Sequence, residues 1–183
     1  MKISIQDTLE TAALTLGSAV LFVSFFHLNG WLFADLAYRE GVNWVFLPAG
    51  FRVILVLILG LPGAAGIMIG TWYLDQGSLG SNLWLVVLNG VVSGFTPFLV
   101  MKALGKGQAA ELVLQDMTTQ RLLNFTLIFA AANAVTHHLV WLLLKRADVN
   151  IWIDVWPMFI GDAIGALLML YLFKLLLLKV KTL

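Results

Sequence analysis

Apolar and polar positions alternate along this chain in long blocks: apolar stretches at about 8–29, 45–60, 62–75, 82–103, 119–144 and 155–178, separated by short polar connectors. A helix needs ~20 apolar residues to cross a hydrocarbon core about 30 Å thick, and four of the six stretches meet that length. The pair between Trp44 and Leu74 does not. That segment is nearly all apolar, yet it is broken by Pro48 and Pro62, carries five glycines, and holds Arg52 in its first half. It is too long for one straight span and short for two, so it predicts two short helices joined at Leu61-Pro62-Gly63. The pattern as a whole predicts an all-α, polytopic membrane helical bundle. It forms one integral membrane domain over residues 1–183 with about six transmembrane helices, the second and third short and broken by proline and glycine.

Small residues add a packing signal. Gly66-x-x-x-Gly70, Gly90-x-x-x-Gly94 and Gly161-x-x-x-Gly165 each set two glycines on one helical face, where backbones approach closely in lipid. The one polar connector with character runs from Gly105 to Gln120. Its Ala110, Leu112, Val113 and Leu114 fit either a short helix on the membrane surface or a plain connector, with Thr118 or Thr119 capping the next span.

Composition supports the membrane reading. Hydrophobic residues make up 61% of the 183 and charged residues 11%, against roughly half and a quarter in soluble domains. Mean hydropathy is +0.94. Residues 1–14 are acidic and carry no cleavage motif, so the first apolar run is expected to be a retained span. A net charge of +1 makes no case for nucleic acid. The absence of cysteine excludes disulfides, thiolate catalysis and cysteine-ligated clusters.

Charge and tryptophan set the orientation. With the N-terminus inside, Lys2, Lys102, Lys106, Arg121, Lys174, Lys179 and Lys181 fall on the inner side; Arg39, Lys145 and Arg146 fall outside. Trp31, Trp44, Trp72, Trp84, Trp141, Trp152 and Trp156 all stand at the outer ends of predicted spans, where indole rings prefer to sit. Both termini are therefore expected on the cytoplasmic side of a bacterial inner membrane.

Polar residues at membrane depth carry the candidate chemistry. Counting at roughly 1.5 Å per residue puts Arg52, Asp162, His137, His138, Asn133 and Asn89 near the midplane or in the outer half. Arg52 and Asp162 are expected to pair. Arg52, Asp162, His137 and Asn133 are the candidate ligand-binding residues of a polar cavity open to the outside, suited to a small anionic or zwitterionic molecule whose carboxylate meets the arginine fork. The same pair also serves as a plain neutralising contact locking two helices. His137 and His138 are adjacent, about 100° apart on a helix, and cannot chelate one ion together; no metal and no cofactor are expected. No nucleophile elbow, phosphate loop or acidic metal motif is present, and Asp35, Glu40, Asp75, Asp148 and Asp154 read as solvated loop residues. Catalysis is not expected.

Trp44-Val45-Phe46-Leu47-Pro48-Ala49-Gly50, the following apolar run to a Leu-Pro-Gly turn, and Gly66 and Gly70 resemble the opening signature of the MASE family of membrane-associated sensor domains. Ile160-Gly161-Asp162-Ala163-Ile164-Gly165 resembles that family's closing Gly-Asp-x-x-Gly signature, and Thr119–Phe129 fits in order between them. The resemblance covers residues 44–178. It implies a membrane input domain of the kind coupled to histidine kinases or cyclic-dinucleotide enzymes. Three departures stand out: the chain stops a few residues past its last span, so no output domain is expected, it is shorter than the usual domain, and Arg52 is foreign to the pattern. A sensor of this form passes its signal to a separate membrane or cytoplasmic protein. Six spans in this length with broken helices are also similar to the substrate-capturing subunits of energy-coupling-factor vitamin transporters. The first span here, with Thr11, Ala12, Thr15 and Ala19, lacks their Ala-x-x-x-Ala docking face. An accessory subunit of a larger complex, docking through the glycine faces, is the third reading.

Overall fold

The computed structural model describes residues 4–39, 41–104, 118–146 and 149–180. Within them the chain forms an all-α bundle of α1 (Ile5–Leu32), α2 (Leu47–Leu59), α3 (Leu61–Leu74), α4 (Leu83–Leu104), α5 (Thr119–Leu143) and α6 (Ile151–Val180). Residues 105–117, which hold the proposed surface helix, lie outside the described part, as do Glu40 and Asp148.

Four helices are long and apolar enough to cross a membrane: α1, α4, α5 and α6. Large side chains such as Leu9, Val20, Leu139 and Leu168 stay exposed on their outer faces, as contact with lipid requires. This is a membrane protein. The helices α2 and α3 are shorter, with 13 and 14 residues, or about 20 Å each at 1.5 Å per residue. They turn back on each other at Gly60, whose φ of 60° is left-handed and suits glycine. Pro48 and Pro62 each stand in the first turn of a helix, where the missing N–H costs nothing. Both prolines therefore start helices here.

Helix α2 is the centre of the fold. Every residue from Pro48 to Leu57 is buried, so it is apolar all round because it is covered all round. Its first N–H, on Leu47, donates to the Oδ1 of Asn29 at 2.9 Å, a buried side chain lent by α1. Helix α1 begins with a capping box, Ser4 Oγ accepting from the Gln6 N–H and Asp7 from the Ser4 N–H. Most of α1 beyond its Ser18–Ala19–Phe22 face is exposed.

The glycine pairs account for the closest approaches. A Cβ at Gly66 would collide with Ser18 and Thr15 of α1, and one at Gly94 with the Ala64 carbonyl of α3. The third pair differs from the expected helix–helix contact. Gly161 and Gly165 of α6 face extended chain: a Cβ there would enter the carbonyls of Asn43 and Phe46, and the Phe46 N–H donates to the Gly161 carbonyl at 3.1 Å.

Between α1 and α2 lies a structure the apolar pattern did not announce, an antiparallel hairpin of β1 (Ala37–Arg39) and β2 (Val42–Asn43). It folds over the start of α6. Of the seven tryptophans, Trp31, Trp44, Trp84, Trp152 and Trp156 are exposed. Trp72 and Trp141 turn inward, their indole N–H groups donating to the Val87 carbonyl and to Asn89.

Candidate functional site

A cavity of about 240 Å³ opens among the helices. Its wall descends from the connecting segments at Gly41, Ser78 and Arg146 to a floor made by Arg52, Ser93, His137 and Asp162. Its mouth is thus at the end of the bundle opposite the termini. Phe22, Phe26, Phe46, Leu74, Leu85, Trp141 and Met158 give it apolar sides.

The fold brings the four predicted site residues together, but only Arg52, His137 and Asp162 line the cavity; Asn133 is fully buried and does not. Arg52 enters from the central helix α2 and is only 5% exposed; Asp162 comes from α6 and is 2% exposed. They do not touch directly. Asn133 of α5 stands between them: its Oδ1 accepts from Arg52 Nη1 at 3.4 Å and its Nδ2 donates to Asp162 Oδ2 at 2.6 Å. The expected direct charge pair is therefore an arginine–amide–carboxylate bridge. The guanidinium lies over two aromatic rings, its Cζ 5.3 Å from the centroids of both Phe22 and Phe46. Arg52 Nε has no hydrogen-bond partner.

The two histidines point apart, as adjacent helical residues must. His137 faces the cavity, its Nε2 3.3 Å from Ser93 Oγ, while its Nδ1 is buried without a partner. His138 packs at a centroid distance of 4.8 Å on Trp141 and bonds through Nδ1 to the Ala134 carbonyl at 2.8 Å. Ser93 is held where Pro97, four residues on in α4, has no N–H to return to its carbonyl. Above the floor, Asn89 accepts from Trp141 and donates to Asp75 at 3.1 Å, forming a polar rung on the wall. Ser93, Phe22 and Trp141 drew no notice as site residues, because nothing in a linear count says which helices face each other.

Asp154 corrects the solvated-loop reading. It is 4% exposed and forms an ion pair with Arg39 of the hairpin. It also accepts from the Tyr38 hydroxyl at 3.2 Å and from the Asn150 N–H at 2.8 Å. Desolvation together with this carboxylate pushes the Tyr38 hydroxyl above its ordinary pKa, so it remains a donor. The hairpin is thereby fastened to α6 beside the cavity mouth, to which Gly41 and Asn43 contribute.

Among the described residues no cluster of three metal-ligating side chains occurs. Comparison with protein-family models, curated proteins and solved structures finds no match.

Proposed function

We propose that this chain is a ligand-binding, sensor-like membrane module that holds a small anionic or zwitterionic molecule and acts through a separate protein. One observation carries the reading. A buried arginine at membrane depth lines the floor of a cavity with only Nη1 hydrogen-bonded among the described residues. A group as costly as this in lipid is functional by default, and a neutralising pair would close on itself. Here the bridge through Asn133 leaves it open.

The resemblance to MASE-type sensors supports the same reading, since its two signatures meet in space. Residues 43–46 press on Gly161 and Gly165, and Asp162 sits between those glycines with its side chain at the cavity floor. In this reading the bundle lies in a bacterial inner membrane with both termini cytoplasmic, on the basic side of the chain, and performs no catalysis. The cavity equally suits the substrate-capturing subunit of a transporter, which binds without chemistry. The glycine faces through which the accessory-subunit reading would dock are covered from within the chain at Gly66, Gly94 and Gly165.

Native mass spectrometry of the detergent-released protein tests the proposal. A small molecule retained by the native chain and lost in Arg52→Gln is the expected result. A chain that carries and binds none, with and without Arg52, would refute it.

A further inference from the structure

The floor of the cavity is charged, yet its two charges sum to zero. Arg52 and Asp162 are both more than nine-tenths buried, and Asn133 spaces them with its oxygen toward the arginine and its nitrogen toward the carboxylate. The guanidinium Cζ lies 5.3 Å from the ring centroids of both Phe22 and Phe46, and its planar fork matches a carboxylate. Of the guanidinium nitrogens only Nη1 has a hydrogen-bond partner among the described residues, and the side chain lines the cavity. Asp162 mirrors it: Oδ2 takes the amide of Asn133, and no described residue donates to Oδ1. A spaced pair of this kind offers one donor edge and one acceptor oxygen at once.

From this, resting on the ligand-binding reading above, we infer that the cavity takes a free amino acid with an apolar side chain. Its carboxylate meets Arg52, its ammonium meets Asp162, and its side chain lies against Phe22, Phe46 and Met158. Charge balance selects the zwitterion. A simple anion would leave the floor net negative and a simple cation net positive, and an uncompensated charge in a low-dielectric site is expensive. Size agrees, since 240 Å³ is about eight waters' worth of liquid, enough for one amino acid.

The test titrates leucine, phenylalanine, 4-methylpentanoate (no ammonium) and isoamylamine (no carboxylate) into the intact chain. Nanodiscs of phosphatidylglycerol alone keep lipid ammonium groups out of the assay. Calorimetry should show an amino acid binding, with each truncated analogue weaker by roughly ten- to a hundredfold, the worth of a charge-assisted hydrogen bond. Arg52→Lys should weaken amino-acid binding, and Asp162→Asn should invert the preference so that 4-methylpentanoate binds tighter than leucine. Unchanged elution and unfolding temperature of the ligand-free variants separate this from misfolding. If the acid matches or exceeds leucine in the native protein, the zwitterion inference is overturned while the ligand site stands. If no probe binds but native mass spectrometry finds another molecule held through Arg52, the amino-acid class is likewise overturned and the site survives. If nothing binds and nothing is retained, both fall.

Discussion

Arg52 shows how a membrane core tolerates a permanent cation. Its charge is met by two ring faces and an amide, with the carboxylate one residue further on. Asn133 is the joint of this arrangement, so Asn133→Ala strips Asp162 of its donor. We expect that substitution to cost about 1–3 kcal/mol, the penalty for an unmade buried hydrogen bond, read as a lower unfolding temperature in detergent. An unchanged temperature would mean that the bridge does not hold the floor. Replacing both charges, Arg52→Leu with Asp162→Leu, should preserve folding and abolish ligand retention; if retention persists, the pair is structural. The common depth of Arg52, Asn133, His137 and Asp162 was legible in the sequence, because helical rise is fixed and residues can be counted from a span end. The bridging role of Asn133 and the presence of Ser93 and Phe22 were not legible. They depend on which helices are neighbours, and that is decided by tertiary packing.

At the scale of elements, the fold turns on how α6 meets the extended chain entering α2. Gly161→Ala should drive a methyl group into the Asn43 carbonyl and displace that chain, at a cost of about 1–3 kcal/mol or more for overpacking. Gly17→Ala, in a helical position with nothing within 4 Å, should instead be neutral or stabilise by up to ~1 kcal/mol. Thermal unfolding of the two variants side by side checks both signs, and equal effects would deny that the close approach matters. The spacing of the glycines announced close packing correctly, but not its partner, since a small face accepts a strand as readily as a helix. The hairpin went unread for a related reason. Its two strands are too short to produce an alternation, and Asp154 resembles any loop acid until Arg39 is folded against it. Arg39→Gln should therefore loosen the hairpin, raising proteolysis between residues 33 and 46 without unfolding the bundle.

Across the whole molecule, four long helices enclose a short helical pair, and the central helix α2 carries the cation to the base of a cavity open at the end away from the termini. The long apolar runs made the membrane class and the bundle plain, because lipid allows few other solutions. The cavity is a property of assembly. Its opening to water at that end is the central claim, and a chain without cysteine offers a clean probe of it. Asn89 lines the cavity, while Val91, two residues along the same helix and about 3 Å different in depth, is exposed on the outer face. Asn89→Cys and Val91→Cys should be treated in membranes with a small, charged thiol reagent applied to the side opposite the termini. The account predicts rapid modification at position 89 and none at position 91; equal protection of both, or reaction only at 91, would contradict it.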